Sequence, residues 1–328
     1  MPNRDIVVIG GSLGGPRAVR ELLSGLEPDI EAAIFVVLHT HPESPRMLAR
    51  MFAAQCHLPV DYALDRDTVE HGHVYVAPPD YHMVLEAGLL RINRNARENR
   101  SRPAIDPLFR SAARWYGSRV IAVLLTGMLD DGVQGLWFVK RRGGITIVQD
   151  PDDAEAADMP LAAIAEGVAD HVVPLHEMPR LVNRLVRQSV PTSGVDQGET
   201  MVRDSASRNV GDLHPASMAT PPGPVTCPEC NGALWIDEHS KPVRYQCHVG
   251  HQFSEHTLEA AKRDELESAL WTALRVLKEN SAMYGSMIER ARRNGSGVDL
   301  ERFEVARAEM QRRIDVVRDA LGEDGRSS

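Results

Sequence analysis

The chain has 328 residues, enough for two or three domains of ordinary size, and 43% hydrophobic with 25% charged residues is the composition of a globular protein. A formal net charge of −9 argues against a nonspecific grip on nucleic-acid backbones, which needs clustered Lys and Arg. No apolar run approaches the ~18–20 residues that span a bilayer, and strand-like sequence starting at Asp5 replaces the pattern of a secretory leader, so the expectation is a cytoplasmic protein without membrane insertion.

In chain order, apolar runs predict strands at Asp5–Gly10, Ala32–His39, His73–Ala77, Arg119–Thr126, Thr146–Gln149 and His171–Pro174. Amphipathic stretches between them predict helices at Pro16–Ser24, Ser44–Gln55, Asp106–Gly117, Val133–Arg142 and Leu161–Glu166. The strands Ile6–Ile9 and Val120–Leu125 are apolar at every position, as strands covered on both faces must be. Alternating β and α elements imply an α/β fold, doubly wound around a mostly parallel sheet, with its site at the C-terminal ends of strands. The stretch from Val84 to Asn93, broken by a Gly turn, reads as an added antiparallel hairpin.

Four segments follow from composition: an α/β domain over 1–190, a flexible Ser/Thr/Gly/Pro-rich linker over 191–224, a cysteine-bearing module over 225–253 and a helical hairpin tail over 254–328. In the tail, Leu266, Leu270, Ala273 and Leu277 give one helix an apolar face, and Met310, Ile314, Val317 and Leu321 do so for the other.

The first chemistry-bearing feature is Val7-Val8-Ile9-Gly10-Gly11-Ser12-Leu13-Gly14-Gly15-Pro16, a buried strand, a glycine turn and a helix start. Such a turn lifts Ser12 clear of the sheet and aims backbone N–H groups at what it meets, so Ser12 can attack a carbonyl and have the oxyanion stabilised. The same glycines nearly spell a dinucleotide fingerprint, with Ser12 in place of the middle glycine that lets a pyrophosphate approach. That fingerprint wants an acidic residue at the end of the second strand. Here the strand ends Val36-Val37-Leu38-His39, which suits a serine nucleophile better. His41, two residues on, is a rival base. A third strand end, Leu125-Thr126-Gly127-Met128-Leu129-Asp130-Asp131-Gly132, supplies an acid to orient the histidine or merely to cap the next helix.

These segments, with Val74–His82, Arg102–Ser111, Gln149-Asp150 and Met159-Pro160, resemble the catalytic domain of the chemotaxis protein-glutamate methylesterases (CheB) from about Asp5 to Val186. The resemblance implies hydrolysis of γ-glutamyl methyl esters on methyl-accepting chemoreceptors, with possible deamidation of glutamines and no catalytic cofactor. It matches Ser12 to the nucleophile, His39 to the base and Asp131 to the orienting acid. It places the oxyanion-stabilising backbone at Met128, with Gly11 and His82 in support. Two departures stand out: Leu129 occupies a position where the family usually has glycine, and the resemblance starts at the catalytic strand, so no receiver domain is expected before it. The rival readings are an esterase or amidase of this fold with another substrate, and a non-catalytic signalling protein.

Cys227-Pro228-Glu229-Cys230 and Cys247-His248-Val249-Gly250-His251 have the spacing of two metal-binding knuckles. Cys227, Cys230, Cys247 and His251 predict a closed, structural zinc site in a zinc-ribbon-like module, against an alternative of unliganded thiols. His248 is a poorer ligand because adjacent residues rarely close one site. The fourth cysteine, Cys56, reads as a buried filler. Trp235, Lys241 and Arg244 are balanced by Glu229, Asp237 and Glu238, so no nucleic acid is expected, and a regulatory protein partner is the expected role of this module.

Overall fold

The β-branched run at the start of the chain forms the centre of a seven-stranded parallel sheet. The computed structural model describes residues 3–190, 223–238, 240–295 and 297–322, so nearly all of the expected linker lies outside the described residues. The elements in order are β1 (Ile6–Gly11), α1 (Gly15–Ser24), β2 (Ala33–Leu38), α2 (Leu48–Ala53), β3 (Val60–Tyr62), β4 (Val74–Val76), β5 (His82–Glu86), β6 (Leu89–Asn93) and α3 (Ile105–Tyr116). Then come β7 (Val120–Leu124), α4 (Val133–Arg141), β8 (Ile145–Gln149), α5 (Asp158–Ala165), β9 (His171–Val173) and α6 (Met178–Val186). The cysteine-bearing segment supplies β10 (Leu234–Asp237), β11 (Arg244–Cys247) and β12 (Gln252–Ser254), followed by α7 (Glu255–Asn294) and α8 (Gly297–Ala320).

The sheet order is β3-β4-β2-β1-β7-β8-β9, with every neighbouring pair parallel. Strand order reverses between β1 and β7, the switch point where open α/β sheets bind ligands. The apolar strands are buried on both faces. Val7 and Ile9 join the core under α1, α2 and α6, while Ile6 and Val8 join the core under α3, α4 and α5. β5 and β6 form the expected hairpin. β10, β11 and β12 form an antiparallel sheet with a small core of Cys227, Leu234, Cys247, Phe253 and Leu258.

Residues Met1–Leu258 form one compact unit and Glu259–Ser328 a second. The cysteine-bearing segment therefore belongs to the same unit as the α/β sheet. Within the second unit, Tyr284 of α7 meets Phe303 of α8 with ring centroids 6.4 Å apart, and Arg292 pairs with Glu304 at 3.0 Å. Ile314 is buried on α8 as expected, but on α7 the buried apolar residues include Ala261, Leu274, Ile288 and Ala291, and Leu266 is exposed.

Three elements depart from expectation. The helix expected at Ser44–Gln55 is only α2, because Pro45 lacks an N–H and biases the residue before it toward extended backbone. Strand β3 was not anticipated: three residues after Pro59 carry too little period to read. Nor was α6, although Met178, Leu181, Val182, Leu185 and Val186 bury a regular helical face.

Candidate active site

The chain end of β1 delivers Ser12, that of β2 delivers His39, and the loop after β7 delivers Asp131. Ser12 Oγ lies 3.1 Å from His39 Nδ1, and His39 Nε2 lies 2.7 Å from Asp131 Oδ2. An ionised carboxylate only accepts, so Asp131 fixes the ring proton on Nε2 and leaves Nδ1 to accept from the Ser12 hydroxyl. The ring is thus used in the reverse sense of the chymotrypsin-type triad, where Nε2 faces serine. His41 is exposed and its Nδ1 accepts the Glu43 N–H at 3.3 Å, so of the two histidines only His39 meets Ser12.

Asp131 is buried, and both its oxygens are occupied. Besides His39, Oδ2 accepts the Ile105 N–H at 2.7 Å, while Oδ1 accepts the Asn99 amide at 3.0 Å and the Asp106 N–H at 3.3 Å. Burial pushes this carboxyl up, but the hydrogen bond and charge of His39, the Ile105 N–H and the Asn99 amide outweigh it and hold the group below the ordinary carboxylate value. Ile105 and Asp106 open α3, so the carboxylate also sits at the positive end of a helix. Asp106, beside it, has the opposite fate. Burial, then the charge of Asp131, raise its carboxyl well above the ordinary value.

The turns around Ser12 fit only small residues. A Cβ on Gly10 would lie 2.3 Å from Ile105, and one on Gly127 would lie 2.1 Å from Met159 Sδ and 2.8 Å from Ser12 Cβ. The Ser12 N–H is tied to Thr126 O at 2.9 Å. Gly11 ends β1 in register with Leu38, and its carbonyl accepts the His39 N–H at 3.3 Å. Among the described residues the Met128 N–H has no hydrogen-bond partner, whereas those of Gly127 and Leu129 are engaged by Ala156 O and Asp158 Oδ2. Leu129 has φ 62°, the left-handed backbone that glycine would adopt freely. The position expected to hold glycine thus carries a leucine in left-handed backbone.

His82 does not touch Ser12, His39 or Asp131 among the contacts described. It is buried, with Nε2 donating to Ala96 O at 3.1 Å and Nδ1 accepting the Ala104 N–H at 3.2 Å. It ties together the two ends of the loop that carries Asn99, and burial holds its pKa below the usual histidine value. Asp130 does not cap α4 through its side chain. Its Oδ1 accepts Ser254 Oγ–H at 2.6 Å and Thr257 Oγ1–H at 3.0 Å, from the end of β12 and the first turn of α7. Asn99, Ser254 and Thr257 were not singled out from sequence. They are polar residues on a loop, at the end of a short strand and in the first turn of α7, Asn99 and Ser254 standing 155 residues apart, and no spacing rule links them.

Cys227, Cys230, Cys247 and His251 converge, their ligand atoms all within 4.8 Å of one another. Cys230 Sγ and Cys247 Sγ are 3.7 Å apart, and His251 Nδ1 lies 3.7 Å from Cys227 Sγ and 3.5 Å from Cys247 Sγ. A disulfide needs ~2.05 Å, whereas two thiolates ~2.3 Å from a tetrahedral ion lie about 3.8 Å apart. The donor set can therefore hold a metal ion. His248 faces Gly232, where a Cβ would meet its ring at 2.7 Å, and stays outside this set. Cys56 is half-buried and packs against the core under α1 and α2. Among the described residues, no helix is long and apolar enough to cross a membrane.

A doubly wound parallel α/β domain with Ser, His and Asp gathered at its switch point is the class that fold and site define. The CheB methylesterase family model matches residues 7–182, and the chain belongs to that family. A protein-glutamate methylesterase/protein-glutamine glutaminase 2 of Anaeromyxobacter dehalogenans is 42% identical over 183 residues, which cover 56% of this chain and 54% of that protein. A shorter relative from Leptospira interrogans is 37% identical over 184 residues, which span 95% of it and 56% of this chain. The crystal structure of the Thermotoga maritima CheB methylesterase catalytic domain is 38% identical, with a TM-score of 0.54, covering 98% of that domain and 56% of this chain. The chain spans about half the length of the longer curated relatives it matches.

Proposed function

We propose that this protein is a protein-glutamate methylesterase that hydrolyses γ-glutamyl methyl esters on methyl-accepting chemoreceptors and also deamidates receptor glutamines. The observation that carries the reading is the relay from Ser12 Oγ to His39 Nδ1 at 3.1 Å and from His39 Nε2 to Asp131 at 2.7 Å, on a domain of the CheB methylesterase family.

Ser12 Oγ attacks the ester carbonyl carbon while His39 Nδ1 takes its proton. Asp131, held ionised by its donors, stabilises the imidazolium that results. The Met128 N–H is free to receive the negative oxygen of the tetrahedral intermediate. As the intermediate collapses, the ester C–O bond breaks and His39 gives its proton to the leaving methanol. Water then attacks the acyl-serine, His39 again takes the proton, and the product is a glutamate side chain with Ser12 regenerated. An amide follows the same path and releases ammonia.

The Cys227-Cys230-Cys247-His251 cluster is proposed to bind zinc. Four protein donors leave no open coordination position, so the ion would hold structure and take no part in the hydrolysis. Three thiols gathered for a metal suit a reducing compartment, and the cytoplasm is the proposed location.

The test is methanol release from methylated chemoreceptor. The wild-type protein should release it and Ser12→Ala should not. Absence of release from the wild type, alongside covalent labelling of Ser12 by a serine-reactive probe, would replace the receptor with another ester or amide.

A further inference from the structure

Behind Asp131, two parts of the chain far apart in sequence share one buried hydrogen-bond network. Asn99 is its centre. The Nδ2 group donates to Asp131 Oδ1 at 3.0 Å and to Asp106 Oδ2 at 3.2 Å, and Oδ1 accepts the Ser254 N–H at 3.0 Å. The Asn99 backbone N–H donates to Gln252 O at 2.8 Å, and the Gln252 N–H donates to Arg97 O at 3.3 Å. Residues 97–99 thus run beside β12 as a short parallel bridge centred on Glu98 and Gln252. Glu98 is itself buried, with both oxygens 2.8 Å from Arg110 and Arg244 of β11 at 3.9 Å. Ser254 and Thr257 reach Asp130, the residue next to Asp131. The surfaces meet closely, leaving a cavity of about 10 Å³ lined by Glu98, Asn99, Asp130 and Ser254 among others.

β12 begins at the residue after His251, and β11 ends at Cys247. The cluster therefore closes the very hairpin whose outgoing strand holds Asn99. The apolar core of this segment is five residues, too few to fix a hairpin register unaided, and segments this small depend on a bound metal for their fold. A loosened hairpin would withdraw the Ser254 N–H and the Gln252 carbonyl from Asn99. Asn99 has φ 48°, a backbone conformation maintained by its surroundings.

We propose that Asn99 is a positioning residue for Asp131, and that the metal-filled Cys3His cluster holds Asn99 in place through Gln252 and Ser254, so that the reactivity of Ser12 depends on the cluster being filled. The proposal rests on the Ser12–His39–Asp131 reading but not on the identity of the substrate.

The experiment follows covalent labelling of Ser12 in the full chain by a fluorophosphonate, which needs no receptor. Zinc-loaded wild type should label. Stripping the metal with a chelator, verified by elemental analysis, should slow labelling by roughly 10- to 100-fold, the cost of a small misplacement at a reacting centre, and zinc should restore it. Hydrogen exchange at residues 97–101 should rise on stripping while β1, β2 and β7 remain protected. Asn99→Ala should show a comparable loss that chelation no longer deepens. Asn99→Ala should also shift the NMR resonance of the His39 Nε2 proton, the signature of its 2.7 Å hydrogen bond to Asp131; a structural defect that leaves Asp131 in place would lower the rate without moving that resonance. Should Asn99→Ala fail to fold by circular dichroism, the wild-type chelation arm decides alone. A metal-free protein that labels at the native rate overturns the proposal, as does Asn99→Ala with an unmoved His39 resonance. A zinc-loaded wild type that never labels overturns the Ser12 reading and this proposal together, whereas a labelled wild type indifferent to metal overturns only the coupling.

Discussion

Asp131 Oδ2 lies 2.7 Å from the backbone N–H of Ile105, the first residue of α3. The orienting carboxylate is therefore held by a helix start as well as by the histidine it faces, and its ionisation survives complete burial. Its folded pKa is depressed, so its contribution to stability is present above the ordinary value of ~3.9 and is lost as pH falls below it.

Asp131→Asn removes the charge while nearly preserving shape. An amide can meet His39 Nε2 through either end, so the ring tautomer that leaves Nδ1 free is no longer enforced. The turnover number should fall about 10⁴-fold, as a carboxylate-to-amide change does in a triad of this kind, with a smaller change in KM. The same substitution should lower the raised pKa of Asp106, because the Asp131 charge contributes to raising it. A carboxyl NMR titration reads that shift, and an Asp106 that titrates unchanged would mean burial alone sets its value.

Leu129 and Gly127 make opposite predictions within one turn. Leu129 sits at φ 62°, which costs a non-glycine residue roughly 1–2 kcal/mol. Leu129→Gly relieves that cost and gives back about 0.5–1 kcal/mol through the freedom of glycine in the unfolded chain. The melting temperature should hold or rise slightly. Gly127→Ala must place a methyl 2.1 Å from Met159 Sδ and 2.8 Å from Ser12 Cβ. It should destabilise by about 1–3 kcal/mol and depress Ser12 labelling. Equal effects from the two would show that the turn tolerates side chains without regard to geometry.

The strand ends were legible in sequence because each joins a fully apolar run to a glycine-containing turn, and that pairing marks both the buried strand and the exposed residue after it. Ser12, His39 and Asp131 could be gathered on one sheet edge before any coordinates. The choice between Asp130 and Asp131 could not be made from the pattern. Both are buried, and they diverge in partner: His39 for one, Ser254 and Thr257 for the other. The network around Asn99 was invisible for a related reason. Polar contacts between irregular segments carry no period, and apolar patterning is what makes a sequence readable.

The cysteine cluster predicts a metal-dependent local fold. Elemental analysis should find about one zinc per chain, lost in Cys227→Ser, as expected for a closed four-ligand site. Removal should unfold residues 223–258 before the parallel sheet, giving two melting transitions where the loaded protein has one for this unit. Limited proteolysis, with cleavage confined to that segment after chelation, reads this directly. A metal-free protein with a single unchanged transition would leave the cluster as mere packed thiols.

His82 predicts an acid-side weakness separate from the triad. Both its ring nitrogens are engaged, and Nδ1 serves as the acceptor for the Ala104 N–H. A proton there must break that bond inside a buried site. Burial lowers the folded pKa, the charges of Glu98 and Asp131 partly offset it, and Arg102 adds to it. For a histidine with a depressed folded pKa, stability is present above the ordinary ~6.5 and is lost as pH falls below it. The loop between Ala96 and Ala104 should therefore loosen on acidification, carrying Asn99 with it. His82→Gln keeps a donor and an acceptor but cannot titrate. The wild-type melting temperature should fall relative to that of the variant between roughly pH 6.5 and 5, and the two should run parallel above pH 7. Parallel curves throughout would remove His82 from the account.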